Sequence, residues 1–370
     1  MTARRNIFLA ACCMALVVGI TPSGELRADK ASAALAKYAK PVDKAIDKAL
    51  AYLAARQDKK EGYWPSPMGK STAVSSLSVM AFLSKGYTPG SGPYGEVINA
   101  GIDFILRNQK PNGLYNNRGE TGPMYSHSIT TLMLSEVSGM VDAKRQKKID
   151  QALPKAVKLI LTAQQVRKPP VHQGGWRYQV RSADSDISCT GWALMALRSA
   201  RNNGTAIPKK AIDDAVKFVL RCRSKARPPK PKPGSKKLRP GVGFGYQPGG
   251  GAGLARTGTA VLCLELCGHH RSKESLEGGD WILAHPQRSY GASFFYYGLY
   301  YCSQGMFQLG GRHWERFAPH MYEMMLKFQR KDGSWPQGGS NESKAGPCYS
   351  TAMGVLAIAV TYRQLPIYQR

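Results

Sequence analysis

The chain has 370 residues, with 52 Lys+Arg against 24 Asp+Glu, a formal net charge of +28, 43% hydrophobic and 9% aromatic residues. That much apolar material excludes a wholly disordered chain, and 39 Gly with 23 Pro but no Gly-X-Y period exclude a collagen-like fibre. A positive charge of this size predicts attraction to something anionic, be it a polysaccharide, a membrane surface or a nucleic acid.

In chain order, residues 1–28 read as an export signal: Arg4 and Arg5 precede an apolar run from Ile7 to Ile20, and a short polar stretch ends at Leu26-Arg27-Ala28. The run is too short for a stable membrane anchor. Leu9-Ala10-Ala11-Cys12 resembles a lipoprotein box, but few apolar residues precede Cys12, so an exported form without lipid is expected.

One unit then recurs six times: an amphipathic helix that often ends in Gln, a loop with Gly and an aromatic residue, and a more uniformly apolar helix closing on Gly. The units span about 45–86, 97–139, 152–204, 210–268, 275–311 and 320–363. In the first, AIDKALAYLAARQ ends at Gln57, Gly62-Tyr63-Trp64 follows, and an apolar helix runs to Gly86. The second carries Gln109 and Gly113-Leu114-Tyr115, the third Gln164 and Gly174-Gly175-Trp176. The fourth has Gly243-Phe244-Gly245-Tyr246 after a long insertion. The fifth is degenerate, with His285 and Tyr290 in place of Gln and Trp, and the sixth has Gln329 and Gly333-Ser334-Trp335. The first helices have one apolar face and should lie outside; the second helices are apolar all round and should form an inner ring. Six such pairs can close on themselves, which predicts an all-α fold, an α/α-toroid (α6/α6 barrel), with no exposed array end.

Gln followed shortly by Gly-x-Trp, as in Gln329 to Trp335, resembles the QW motif of the squalene cyclase and protein prenyltransferase repeat superfamily, and the resemblance covers nearly all of the chain beyond residue 28. It implies an α/α-toroid whose chemistry lies at the inner helices' N-terminal mouths, with Gln57, Trp64, Gln109, Gln164, Trp176, Gln329 and Trp335 in structural roles. An apolar or isoprenoid ligand would fit that family. Asp184-Ser185-Asp186-Ile187-Ser188 resembles the Asp-x-Asp-Asp-Thr acid motif of class II terpenoid cyclases, with Ile187 where a further Asp would stand. The resemblance implies Asp186 as proton donor and Asp184 as its partner, an isomerase or lyase type of chemistry that needs a carboxyl held neutral by burial.

If the ring closes, the starts of the inner helices converge, bringing Tyr125, His127, Arg256 and Tyr349 to the mouth as candidate ligand-binding residues. Free N–H groups there would favour an anion or a carboxylate in the rim. A Cys189–His127 pair is conceivable, since a helix's first turn lowers a thiol pKa. Asn116, Asn117, Arg118, Tyr125 and His127 could instead line a groove for an acidic polysaccharide, for binding or lyase chemistry. The run Phe294, Phe295, Tyr296, Tyr297, Tyr300 and Tyr301 covers every face of one helix, so most of it is expected in the core.

Six cysteines follow residue 28, Cys189, Cys222, Cys263, Cys267, Cys302 and Cys348, too sparse for a disulfide scaffold. Cys263 and Cys267 with His269 and His270 lack the second ligand pair of a zinc site, so no metal and no cofactor is expected. The insertion at 223–240 is basic and Pro-rich; from Arg221 to Pro240 it counts nine Lys/Arg and no acid, suited to docking on an anionic polymer or surface. Nucleic acid is not expected, because no recognition motif or aromatic interleaving accompanies the run. The sequence thus predicts an exported toroid that binds a ligand or partner at its mouth, with cyclase-like activity as the leading enzymatic alternative.

Overall fold

The computed structural model describes residues 22–225, 241–287, 291–339 and 342–369, with side chains from residue 35 onward. Residues 1–21 of the expected export signal, with Cys12, and residues 226–240 of the insertion lie outside these, as does Tyr290. The described residues hold twelve α-helices and no strand.

The outer helices are α1 (Pro22–Arg56), α3 (Gly95–Arg107), α5 (Ala143–Gln164), α7 (Lys209–Arg221), α9 (Lys273–Ala284) and α11 (Gly311–Phe328). Each is followed by an inner one: α2 (Thr72–Ser84), α4 (Pro123–Val137), α6 (Ile187–Asn202), α8 (Leu254–Leu266), α10 (Phe295–Leu309) and α12 (Pro347–Ile358). Every inner helix packs on the next and α12 packs on α2, so the ring closes into an α/α-toroid. The inner helices are buried on nearly all sides, as α2 shows from Thr72 to Ser84 with Ala73 alone partly exposed. The first outer helix begins well before the repeat pattern at Ala45, because Tyr38 and Val42 also bury their side chains. Tyr38 rests on Tyr322 of α11, with ring centroids 5.4 Å apart, across the seam between first and last repeats.

The repeated Gln and Trp explain how the units are fastened. Gln57 Nε2 donates to Gly62 O (2.9 Å) in its own loop and to Val97 O (2.8 Å) at the start of the next outer helix. Gln109 does the same to Gly113 and Ala152, and Gln164 to Gly174 and Ala211. Gln329 closes the circle by donating to Gly333 O (3.0 Å) and to Ala45 O of α1 (2.7 Å). Trp64, Trp176 and Trp335 are buried, and each indole N–H donates to a carbonyl of its own outer helix: Leu53, Ile160 and Met325. Both residues therefore satisfy backbone acceptors while filling the space between layers. The loop glycine makes the close approach possible: Gly333 has φ +89°, and a Cβ there would stand 2.2 Å from Lys48 O of α1.

The axis of the ring is filled. Trp192 of α6 stacks on Tyr300 of α10 (5.5 Å, 11°) and meets Tyr297 and Tyr301 edge-on. At the inner helices' C-terminal end, the final segment Pro366–Tyr368 enters the ring: Ile367 N–H donates to Glu136 (3.1 Å), Gln308 donates to Tyr368 O (3.3 Å), and the Tyr368 hydroxyl pairs with that of Tyr300.

Candidate functional site

With the C-terminal end occupied by the tail, the accessible end is the mouth formed by the inner helices' N-termini. Asp186 is fully buried there as the N-cap of α6. Its Oδ1 accepts from Ser188 N (2.8 Å) and Cys189 N (2.9 Å), which is why a short acidic residue stands before this helix. Its Oδ2 has no hydrogen-bond partner and lies 3.6 Å from Arg177 Nη1, itself buried and without a partner. Burial raises the Asp186 pKa to about 6, against the pull of the N–H groups of Ser188 and Cys189 and of Arg177. Asp184 is half-exposed on the other side of the same guanidinium, 3.5 Å from Arg177 Nε, and accepts from Gln247 (3.1 Å). One arginine therefore sits between the two candidate aspartates.

Arg177 is held by aromatic faces, Tyr178 at 4.6 Å and Tyr246 at 5.3 Å, whose hydroxyls pair with each other. Tyr125 stacks on Tyr178 (5.8 Å), with its hydroxyl beside the Cys189 thiol. The Tyr297 hydroxyl lies beside Ser188 and Thr259. Tyr349 reaches Glu342, its hydroxyl 3.4 Å from Oε1. Phe294, just before α10, is 45% exposed and adopts φ +57°, a left-handed conformation that costs a non-glycine residue energy; its ring lies edge-on to Tyr297.

Two further carboxylates share the mouth. Glu120, from the second repeat's loop, accepts from Ser71 Oγ (2.7 Å), Thr72 Oγ1 (3.1 Å) and Ala73 N (3.0 Å) at the start of α2. Glu342 accepts from Tyr296 N (3.2 Å) and Tyr297 N (2.8 Å) at the start of α10, and burial raises its pKa to about 6. Alternate inner helices, α2, α6 and α10, thus have their N-terminal dipoles answered by the protein's own carboxylates. Of the two possibilities offered by free helix N-termini, an anionic ligand or rim carboxylates, the chain takes the second at these three helices.

The structure brings Asp184, Asp186 and Tyr125 together and puts Tyr349 beside Glu342, but it corrects other expectations. His127 is not a mouth ligand. Its Nδ1 accepts from Tyr115 N (3.2 Å) and its Nε2 pairs with Ala156 O (3.0 Å); it takes the role that Ser75, Thr190 and Thr351 hydroxyls play beneath the Trp residues of other repeats. Burial lowers its pKa to about 4, so the ring is neutral. Both His127 nitrogens being engaged, the ring does not activate Cys189, whose thiol burial pushes well up. Arg256 turns back onto Gly251 O (3.2 Å), leaving Arg177 as the cation beside Asp186. Asn116 and Asn117 donate to the Glu120 backbone and carboxylate and so serve the loop. Among the described residues, no cluster of His, Cys, Asp and Glu could hold a metal ion, and the six cysteines are unpaired. Arg177, Tyr178 and Glu342 were not singled out from the sequence, and Tyr246 was named only as part of a repeat loop. Tyr178 and Tyr246 stand two residues after the ring residues Trp176 and Phe244, a register that aligning the repeats would have exposed.

No protein-family model and no curated sequence matches the chain. Solved structures do resemble it. An inactive variant of an α-1,6-mannanase of Salegentibacter sp. HEL1_6 in complex with α-1,6-mannotriose is 9% identical with a TM-score of 0.61, over 87% of this chain and 99% of that one. Type II terpene cyclase MstE from Scytonema is 13% identical with a TM-score of 0.54, over 88% and 100%. A family 76 glycoside hydrolase from a bovine Bacteroides thetaiotaomicron strain is 11% identical with a TM-score of 0.57, over 88% and 78%. The α/α-toroid is common to all of them.

Proposed function

We propose that this protein binds a neutral carbohydrate at the inner-helix mouth, with Asp186 as the group able to give a proton to a bound ligand. The observation that carries this reading is Phe294, an exposed ring kept in a costly left-handed conformation on a rim that also presents Tyr125, Tyr178, Tyr246 and Tyr349. Flat aromatic faces suit the C–H faces of sugar rings, and hydroxyl and carboxylate edges suit their OH groups. The buried carboxylates Glu120, Asp186 and Glu342 already occupy the helix N-termini that would otherwise attract an acidic ligand. The shared fold with a mannanase complex makes α-1,6-mannotriose the first probe. In calorimetric titrations against a panel of neutral oligosaccharides, at least one should bind, and Phe294→Ala or Tyr178→Ala should weaken it about tenfold, the loss of one stacking contact. Failure of every neutral sugar to bind would refute the reading.

A second reading rests on Asp186 Oδ2, which faces Arg177 but accepts no hydrogen bond: a class II terpenoid-cyclase-like protein, belonging to the squalene cyclase and prenyltransferase repeat superfamily, with Asp186 protonating an alkene. The aromatic filling behind Asp186, led by Trp192 and Tyr300, leaves it second. Turnover of a polyprenyl substrate that Asp186→Asn abolishes would promote it. Export across the membrane, read from residues 1–28, agrees with a carbohydrate ligand better than with an isoprenoid.

A further inference from the structure

The anionic attraction implied by the charge needs a place other than the acid-lined mouth, and the outer helix α5 supplies one. Lys144, Lys148, Lys155 and Lys158 fall at intervals of four, seven and three residues, which puts all four on one face at helical spacing, with Gln151 and Thr162 in the same row and Pro154 interrupting the helix between the two pairs. All four lysines are exposed and, among the described residues, none has a carboxylate within ion-pair distance; Lys37, Lys40, Lys44 and Lys48 of α1 share that state, and α5 differs from α1 in the groove beside it. The acids of this stretch are engaged elsewhere: Asp142 and Asp103 hold Arg145, and Asp150 accepts from Gln146. Beside the row lies a groove of about 310 Å³ between the loop residues Pro111 and Asn112 and the helix residues Lys155, Lys158, Leu159 and Thr162. Lys110, also exposed, precedes that loop.

We infer that the α5 face is a docking site for a linear acidic polysaccharide, separate from the mouth and independent of what the mouth binds. A single file of cations without ion pairs among the described residues, about 21 Å from Lys144 to Lys158 at 1.5 Å per residue, suits a chain that carries a negative group on each sugar. The groove beside its C-terminal half gives such a chain a wall to lie against. A membrane surface fits less well, because the row holds no exposed aromatic or large aliphatic side chain to enter a bilayer.

The test uses the full chain, insertion included, and immobilised polygalacturonate, with dextran as the uncharged control. A variant carrying Lys144→Gln, Lys148→Gln, Lys155→Gln and Lys158→Gln is compared with one in which Lys37, Lys40, Lys44 and Lys48 of α1 are changed in the same way, giving equal net charge. Each lysine facing an anionic surface is worth about fivefold, so the α5 variant should lose about 600-fold in affinity. The α1 variant should lose less than about tenfold, and native circular dichroism should confirm that both fold. Equal losses in the two variants would show that net charge alone governs binding and would overturn the site. So would wild-type binding to phosphatidylglycerol vesicles but not to polygalacturonate, which would assign the face to membranes.

Discussion

Glu136 offers the sharpest test of the ring's closed end. Its side chain is fully buried near the C-terminus of α4, where it accepts from the Ser199 hydroxyl and from Ile367 N–H of the tail. Both donors are neutral, and burial lifts its pKa from 4.5 to about 7. Each pKa unit corresponds to about 1.4 kcal/mol, so ionising Glu136 in place costs about 3 kcal/mol relative to the unfolded chain. The sign follows from proton binding. Between pH 4.5 and about 7 the folded state holds the proton more tightly than the unfolded state, so this residue's contribution falls as pH rises and is flat above about 7. Asp186 and Glu342, both raised to about 6, act in the same direction over a narrower window. Glu136→Gln removes the charge and keeps the geometry, since its oxygen can accept from Ile367 and its amide can donate to Ser199 Oγ. Urea denaturation followed by tryptophan fluorescence should show little change at pH 5 and a gain of up to about 3 kcal/mol at pH 8. A Glu136→Gln curve running parallel to the wild type from pH 5 to pH 8 would refute the argument.

Other consequences are as direct. Gly333→Ala should cost at least about 3 kcal/mol, because its Cβ would meet Lys48 O at 2.2 Å, whereas Gly139→Ala, with similar φ but nothing within 4 Å, should cost about 1 kcal/mol; equal costs in thermal melts would contradict the seam. Phe294→Gly should leave stability unchanged or raise it by about 1 kcal/mol by relieving the left-handed strain, while carbohydrate binding weakens about tenfold. A destabilised variant that binds as tightly as the wild type would reverse that assignment. Under native conditions Cys189, Cys222, Cys263 and Cys302 should resist a thiol reagent that modifies them on unfolding, burial having excluded the reagent and raised their thiols; fast native labelling of Cys189 would revive it as a nucleophile.

The toroid was legible because its determinants are local and repeated. Gln164, Gly174 and Trp176 lie within one loop, and the same three residue types recur at Gln57 and Gln329, so a period in the sequence is also a period in space. The start of α6 at Asp186 was legible for the same reason, since an N-cap is a relation between a residue and the next three. What the sequence hid joins distant positions. Glu342 accepts from Tyr296, 46 residues earlier, Tyr178 meets Tyr246 across 68 residues, and Ile367 finds Glu136 across 231. Such contacts exist only after the ring closes, and no spacing rule announces them. His127 misled for a related reason: its place before an inner helix suited a ligand, but the repeat needed an acceptor for the Tyr115 N–H, which Ser or Thr supplies in neighbouring units. The same logic divides the molecule's charge. Three buried acids, Glu120, Asp186 and Glu342, answer helix N-termini around the mouth, while the lysines of α5 face outward without an ion pair among the described residues, so the neutral ligand proposed for the mouth and the acidic one proposed for α5 would not compete.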